Sequence, residues 1–316
     1  MPDSDCPCCG EPMERWSPLW SRSAWYHRCG SCGLTWCKER PGLETGDYTQ
    51  DELRDAKNRL SIEDYLKKIS PLLPQGPFRW LELGGAYGHL TWEVQRRYGA
   101  EVFMVEPGAT GRGYAQECLG LRAYPDIQSL GQAVTGGFDV IFSGHVWEHV
   151  DDPLGFVQES FALLNDGGVW MAITPNADSW KHRLFRGGWC WLSPDHLQIL
   201  SPLSAAGFLR RAGLDPVHIK DFQPAAIDYP GVLIGGVSFC KEWLKSRQGR
   251  KIKGSKCRTQ ATLAPRKPGR IKWLVTTFFG GLVRFSLFER RFWSTLDREH
   301  GADEFLIGAR KINPNL

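Results

Sequence analysis

Four cysteines near the start of the chain have the spacing of a tetrahedral metal site. They occur in two Cys-x-x-Cys-Gly motifs, Cys6 with Cys9 and Cys29 with Cys32, separated by nineteen residues. Each motif offers two thiolates, and the glycine that follows permits the tight turn of a zinc-ribbon knuckle. Because four sulfur ligands leave no open coordination position, the pattern predicts a structural rather than a catalytic zinc ion. Cys8 is the alternative ligand in the first motif, and Cys37 is expected to be a bystander.

A glycine-rich turn further along the chain could hold a nucleotide-like ligand. The turn Glu82-Leu83-Gly84-Gly85-Ala86-Tyr87-Gly88 follows an apolar run and precedes a helical pattern. Small residues let the backbone approach a ligand closely, and the N–H groups at a helix start are free to bind it. The turn lacks the Gly-x-Gly-x-x-Gly spacing of dinucleotide-binding proteins and instead has an acid two residues before its first glycine. The alternative is a tight strand–helix turn without a ligand.

A second carboxylate, Glu106, lies 24 residues after Glu82, between Val105 and Pro107. This spacing fits one strand–helix–strand unit and places Glu106 at the carboxyl end of a strand. In parallel sheets ligands bind outside these ends, and a carboxylate there can accept hydrogen bonds from both hydroxyls of a ribose. The two motifs together therefore favour a ligand site over a bare turn.

These residues need a sheet to bring them together, and the sequence from residue 78 onward predicts one. Short apolar runs alternate with helical segments, which is typical of a parallel sheet with helices on both faces. The predicted strands are Phe78–Leu83, Glu101–Glu106, Phe138–Ser143, Val169–Thr174, Val217–Phe222 and Glu304–Ala309, and the predicted helices are Asp51–Ile69, His89–Tyr98, Thr110–Cys118, Pro153–Leu164 and Ser201–Ala212. The expected domains are a zinc-ribbon-like module at 1–40, a linker and amphipathic helix at 41–75, and a catalytic domain at 76–316 with an insertion at 223–303.

The glycine-rich turn resembles motif I of class I S-adenosylmethionine-dependent methyltransferases, commonly written acid-x-Gly-x-Gly-x-Gly, with Ala86 at the middle glycine. The resemblance covers roughly residues 76–222. Residues 146–153, Val-Trp-Glu-His-Val-Asp-Asp-Pro, are similar to the segment after the fourth strand of these enzymes, and residues 191–213 are similar to a later region. The resemblance implies a Rossmann-like, doubly wound sheet of seven mostly parallel strands with an antiparallel last strand. It also implies methyl transfer from S-adenosylmethionine.

The same resemblance assigns residues to the cofactor site. Asp126 and Ile127 would flank the adenine at the end of the third strand, and Ser143, Gly144 and His145 would line the floor beneath the methionine moiety. The implied cofactor-binding residues are Glu82, Gly84, Gly85, Ala86, Tyr87, Gly88, Glu106, Pro107, Asp126, Ile127, Ser143, Gly144 and His145.

Two histidines, His149 and His196, could remove the proton of a hydroxyl acceptor. His149 follows the fourth strand, on the rim toward which the methyl group should point, and we predict it as the base. His196 ends an aromatic-rich stretch that could close over the substrate. The alternatives are loop ordering for His149 and packing for His196. Trp189 and Trp191 are candidate substrate walls or core residues, and Glu148 is expected to stay solvated or to pair with a base.

Positive charge is concentrated in one segment. Eleven of the 39 Lys and Arg residues lie between 245 and 272, where no Asp or Glu occurs, which leaves 28 basic residues against 35 acidic ones elsewhere. The aromatic-rich residues 273–288 follow, and they are too short and too charged to span a bilayer. Residues 245–288 could form an interfacial helix on an anionic membrane, which would be peripheral contact. The alternative is a substrate-lid or packing helix beside a basic loop.

The start of the chain and the charge of the cysteine module indicate the cellular compartment and the class of acceptor. The chain starts without an apolar secretion signal, so reduced cysteines and a cytoplasmic location are expected, with peripheral membrane association as an addition. Acidic residues offset the basic ones in the cysteine module, which disfavours nucleic acid as a partner. We therefore expect O-methylation of a small-molecule or carbohydrate-type acceptor. The alternatives are C-methylation of a nucleotide-linked sugar, an RNA methyltransferase, and a non-catalytic cofactor-binding scaffold.

Overall fold

The computed structural model describes residues 5–18, 25–37, 56–189, 191–192, 195–222 and 302–311. The basic and aromatic stretch at 245–288, and nearly all of the insertion expected at 223–303, lie outside these residues. Among the helices of the described ranges, none is both long enough and apolar enough to cross a membrane.

The described residues form two sheets. In chain order their strands are β1 (Met13–Pro18), β2 (Trp25–Cys29), β3 (Thr35–Cys37), β4 (Arg79–Leu83), β5 (Glu101–Val105), β6 (Ala123–Tyr124), β7 (Phe138–Gly144), β8 (Leu164–Pro175), β9 (Gln198–Ile199), β10 (Leu214–Phe222) and β11 (Glu304–Lys311). The large sheet has the order β10-β11-β8-β7-β4-β5-β6, and only β11 runs antiparallel to its neighbours. The predicted seven-stranded, mostly parallel sheet with an antiparallel last strand is confirmed.

The central strands of the large sheet are buried on both faces because they are apolar at successive positions. Alternate residues enter different core clusters: in β4, Leu81 packs on one side and Trp80 on the other. Phe103 and Met104 of β5 divide in the same way. Continuous apolar runs of this kind are typical of strands covered by helices on both faces.

The helices connect these strands and cover the sheet. They are α1 (Ala56–Ile69), α2 (His89–Tyr98), α3 (Ala109–Glu117), α4 (Ile127–Ala133), α5 (Pro153–Ala162), α6 (Trp180–Phe185) and α7 (Pro202–Arg211). Side-chain oxygens cap two of the predicted helices, from Asp152 at the start of α5 and from Ser201 at the start of α7. These caps satisfy N–H groups that lack a partner in the first helical turn, so they fix where the helices begin.

The small sheet joins the cysteine module to the rest of the molecule. Its order is β1-β2-β3-β9, so three strands from the module pair with a short strand that precedes α7. Thr35 and Trp36 of β3 pair antiparallel with Ile199 and Gln198 of β9. The module therefore shares a sheet with residues 198–199.

Candidate cofactor and acceptor site

The glycine-rich turn lies between β4 and α2, at the carboxyl edge of the sheet. Gly84 and Gly88 have φ angles of +71° and +79°, a region that favours glycine. A Cβ on Gly84 would lie 2.1 Å from Cγ2 of Val146, so the turn is packed closely against the segment after β7. Ala86 has a φ of 48°, which makes it a non-glycine residue in the left-handed region. The side chain at the middle position of the turn therefore costs backbone strain of about 1 kcal/mol.

Glu106 follows β5 and faces the turn. It is buried, its Oε2 accepts a hydrogen bond from Ala86 N at 2.7 Å, and its Oε1 accepts one from Gly108 N at 2.7 Å. A carboxylate oxygen has two lone pairs, so these contacts use one lone pair of each oxygen. Arg112 donates to the backbone oxygens of Glu106 and Pro107, at 2.8 Å each, and steadies this corner. The two oxygens are thus fixed beside the glycine-rich turn, at the carboxyl edge of the sheet.

Glu82 stabilises the start of α2. Its Oε2 accepts hydrogen bonds from Thr91 N at 3.1 Å and from Thr91 Oγ1 at 2.5 Å. Burial raises the pKa of this carboxyl to about 7, against the effect of the Thr91 hydrogen bonds. These contacts identify Glu82 as the residue that ties the helix to the turn.

The other expected cofactor residues occupy varied positions. Asp126 lies two residues beyond the short strand β6 rather than at its end, and its Oδ1 accepts from Ser129 N at 2.6 Å, which caps α4. Ile127 begins that helix and is partly buried against the core. Tyr87 is buried with its ring edge-to-face with Tyr114. Ser143 is 1% exposed, and within the described ranges its Oγ has no hydrogen-bond partner.

An ion pair between the partly buried His145 and the buried Glu148 follows β7. His145 Nδ1 lies 3.1 Å from Glu148 Oε1, and its Nε2 lies 2.8 Å from the Tyr65 hydroxyl and 3.5 Å from Glu304 Oε1. Burial opposes the charged imidazole, but Tyr65, Glu304 and Glu148 together raise the pKa of His145 well above its usual value. Burial likewise opposes the charged carboxylate of Glu148, yet the contact with His145 lowers its pKa to about 2. Of the two expectations for Glu148, the structure shows pairing with a base and no exposure.

The two predicted histidines lie against each other, and we refer to His149 and His196 as the histidine pair. Their ring centroids are 4.6 Å apart. His149 Nδ1 lies 2.9 Å from the Asp195 carbonyl oxygen, and His196 Nδ1 lies 2.6 Å from the Trp191 carbonyl oxygen. Because a carbonyl oxygen can only accept, each Nδ1 carries a proton, and in the neutral imidazole each Nε2 then keeps a lone pair. Burial lowers the pKa of His196, which favours its neutral form.

The aromatic residues beside the histidine pair have different roles. The Trp191 ring stacks on His145 with centroids 5.0 Å apart and on His196 with centroids 6.0 Å apart. Trp189 is 3% exposed and donates from Nε1 to Asp303 Oδ1 at 3.1 Å. Trp189 is thus a core residue, whereas Trp191 lies between the ion pair and the histidine pair.

Two groups of side chains have the composition of metal sites. The ligand atoms of Glu148, His149 and His196 lie within 4.8 Å of one another. Both oxygens of Glu148 already take part in hydrogen bonds, with His145 at 3.1 Å and with Thr174 at 3.0 Å. A metal ion bound by this group would share the two carboxylate oxygens with these contacts.

The second group is the predicted cysteine cluster. The sulfurs of Cys6, Cys9, Cys29 and Cys32 lie within 4.8 Å of one another. The Cys6–Cys32 pair is 3.4 Å apart and the Cys9–Cys29 pair is 3.5 Å apart. Sulfurs bonded to a tetrahedral zinc at about 2.3 Å lie about 3.8 Å from one another, so the cluster fits zinc. Cys8, the alternative ligand, donates to the Ser204 carbonyl oxygen at 3.3 Å and is not one of the four clustered residues.

Several site residues have no counterpart in the sequence motifs. Tyr65 comes from α1 and Glu304 from β11, and both reach His145 from distant parts of the chain. Tyr26 of the cysteine module donates to the His196 carbonyl oxygen at 2.7 Å. No local pattern marks these residues, because each contact depends on the completed fold.

An open sheet of this order, with a glycine-rich turn after β4 and a buried carboxylate after β5, defines the class of Rossmann-like S-adenosylmethionine-dependent methyltransferases. A family described as a methyltransferase domain matches residues 48–219. The chain therefore belongs to this family and is an S-adenosylmethionine-dependent methyltransferase.

Relatives and solved structures agree with this assignment. A ubiquinone biosynthesis O-methyltransferase of Cereibacter sphaeroides is 30% identical over 177 residues, which cover 52% of this chain and 71% of the relative. The protein of the same name from Ruegeria pomeroyi is 30% identical over 162 residues, which cover 47% of this chain and 64% of the relative. The crystal structure of a SAM-dependent methyltransferase from Archaeoglobus fulgidus aligns with a TM-score of 0.50 at 14% identity, over 83% of this chain and 97% of that one. This last similarity concerns the fold alone.

Proposed function

We propose that this enzyme methylates a hydroxyl oxygen of a small-molecule or carbohydrate-type acceptor, with His149 as the general base. The observation that carries the proposal is the carbonyl oxygen at Nδ1 of both histidines, since it assigns the proton to Nδ1 and leaves the lone pair of Nε2 available in the neutral ring. His149 is 30% exposed through its side chain and can therefore reach an acceptor. The relatives named above are oxygen methyltransferases, which supports the same choice of atom.

In the proposed site one group of residues would bind the cofactor, and a second group would act on the acceptor. Glu106 would accept the ribose hydroxyls, and the orphaned Ser143 Oγ would bind a polar group of the cofactor. S-adenosylmethionine supplies a methyl group on a sulfonium, which needs no further activation. His149 would take the hydroxyl proton at Nε2 as the acceptor oxygen gains the methyl group, and would release the proton to solvent. The ion pair of His145 and Glu148 would fix the loop that carries the base.

The acceptor class can be tested by adding the enzyme and methyl-labelled S-adenosylmethionine to fractions of a cell extract. We expect label in the lipid or small-molecule fraction, bound through a methyl ether that resists alkali. Exclusive label in RNA would overturn the acceptor class, and label on carbon of a sugar nucleotide would support C-methylation instead. If the label enters lipid, binding of the enzyme to anionic vesicles at low salt would support membrane contact through residues 245–288.

We also propose that Cys6, Cys9, Cys29 and Cys32 bind a structural zinc ion. The support is their spacing and the clustering of the four sulfurs. The neighbouring Cys32 thiol and burial raise the pKa of Cys6 well above its usual range. A divalent cation would reverse that effect, because it stabilises the thiolate form of its ligands.

Replacing Cys29 by serine is expected to lower bound zinc from about one ion per chain to well under half, and to lower the melting temperature. Metal content by mass spectrometry and a thermal melt measure the two effects. Cys118→Ser is the matched control, since Cys118 is exposed and ends α3. Cys8→Ser should also keep its zinc. A Cys29→Ser protein with wild-type zinc content would rule the site out.

A further inference from the structure

The segment that carries His196 is paired with the cysteine module through the small sheet. Strand β9 begins two residues after His196 and pairs with β3 of the module. Cys37 N also donates to the Leu197 carbonyl oxygen at 2.8 Å. Residues 196–199 therefore continue the sheet of the module, although they lie some 160 residues further along the chain than β3.

Tyr26 adds a direct contact between the module and His196. Its hydroxyl donates to the His196 carbonyl oxygen at 2.7 Å, and the residue is 1% exposed. Tyr26 is on β2 and pairs with Cys37 of β3. It lies three residues before the predicted zinc ligand Cys29. Its ring belongs to one buried cluster with Cys37, Trp189, Leu192 and Ile199, against which Trp191 packs. A hydrogen bond this well buried fixes the backbone of His196.

The opposite side of the same segment is bonded to the loop that carries His149. Leu197 N donates to the Glu148 carbonyl oxygen at 2.8 Å. Gln198 Nε2 donates to the carbonyl oxygens of Trp147 at 2.6 Å and Val150 at 2.8 Å. The segment is thus held between the module on one side and the His149 loop on the other, and the two imidazoles meet where these contacts converge.

We propose that Tyr26 is a positioning residue for the histidine pair, acting through the backbone of His196. The cysteine module would then serve the acceptor side of the reaction, by setting the direction of the histidine lone pairs. The inference rests on the proposed function for its catalytic consequence, but the geometry it asserts can be measured without methyl transfer. Tyr26 touches neither cofactor nor acceptor in this scheme.

The test uses full-length, zinc-loaded protein with ¹⁵N-labelled histidine and bound S-adenosylhomocysteine. In the wild type, NMR should show His196 in one tautomer with the proton on Nδ1. In Tyr26→Phe, which removes one oxygen atom, the two ring nitrogens of His196 should move toward averaged shifts. With the acceptor fraction that the wild type labels, the kcat of Tyr26→Phe should fall about tenfold. Its KM for S-adenosylmethionine should stay within about twofold of wild type.

Two internal references keep this result specific. Tyr98→Phe is the matched control, because Tyr98 is 37% exposed on α2. The buried ring of His182, whose Nδ1 lies 2.7 Å from the Ala177 carbonyl oxygen, should keep its shifts in both variants. Unchanged His196 shifts in Tyr26→Phe would overturn the proposal, and so would averaging of His182 together with His196. If the shifts change as expected but the wild type labels no acceptor, the proposed function fails and the positioning role stands.

A second measurement needs no substitution and covers the case in which Tyr26→Phe does not fold. Amide exchange of the wild type in low denaturant should expose Leu197, bonded to Glu148, in the same opening event as Cys29, bonded to Leu34 within the module. The coupling would be contradicted if the Leu197 amide exchanged in the same opening event as the amides of the large sheet and independently of Cys29. Equal protection of the two amides across denaturant concentrations would support it.

Discussion

Replacing Glu106 by alanine is expected to weaken binding of S-adenosylmethionine and of its demethylated product at least about 100-fold. The buried carboxylate is held by Ala86 N and Gly108 N at the carboxyl edge of the sheet, and we expect both ribose hydroxyls to donate to it. Hydrogen bonds to a charged group contribute about 1.5–3 kcal/mol each, so losing two to a ribose costs about 3–6 kcal/mol. The change also leaves the N–H of Ala86 in the turn and the N–H of Gly108 after β5 without this acceptor. Titration calorimetry with S-adenosylhomocysteine measures the effect.

Glu101 provides the matched control for this experiment. It lies at the opposite end of the same strand and forms salt bridges with Arg79 and Arg122 at the surface. Glu101→Ala should leave the affinity within about twofold of wild type, because surface ion pairs contribute little. Glu106→Gln should fall between the two, since an amide keeps only one accepting oxygen. Wild-type affinity in Glu106→Ala would exclude the ribose contact and, with it, the assigned cofactor pocket.

The sequence predicts six of the seven strands of the large sheet, since these carry apolar runs, whereas β6 has only two residues. Leu81 and Phe103 enter one cluster and Trp80 and Met104 the other, so β4 and β5 contribute apolar residues to both faces. Helix α2 begins and ends where predicted because Gly88 and Gly99 take left-handed conformations on either side of it. The strand predicted at Val169–Thr174 starts five residues earlier in the structure, at Leu164. The sequence does not predict this start, because the polar residues Asn165 and Asp166 interrupt the apolar run.

The sequence does not predict which distant side chains surround the candidate acceptor site. The ion pair of His145 and Glu148 depends on Tyr65, 80 residues before His145, and on Glu304 of the last strand. Tyr26 and His196 are 170 residues apart. Such contacts leave no periodic pattern, because they arise only when the sheets have formed. The burial of Glu148 has the same origin, since Thr174 of β8 covers one of its oxygens.

Replacing His149 by alanine is expected to lower kcat at least about 100-fold, because a positioned general base contributes about 10²–10⁴ to the rate. The affinity for S-adenosylhomocysteine should stay within about twofold, since His149 lies outside the glycine-rich turn and the Glu106 corner. Single-turnover kinetics on the acceptor fraction that the wild type labels, together with calorimetry, separate the two effects. His218→Ala is the control, because His218 lies on the edge strand β10.

His196→Ala distinguishes a single base from a cooperating pair. His196 is 6% exposed, whereas the side chain of His149 is 30% exposed, so an acceptor hydroxyl reaches His149 more readily. If His149 is the base and His196 orients its ring, His196→Ala should lose less activity, and the double variant should lose no more than His149→Ala alone. Equal losses from both single variants that multiply in the double variant would contradict this order. A base that needs no metal is unaffected by a chelator. If a chelator inhibits protein that keeps its cysteine-bound zinc, His149 would instead be a metal ligand.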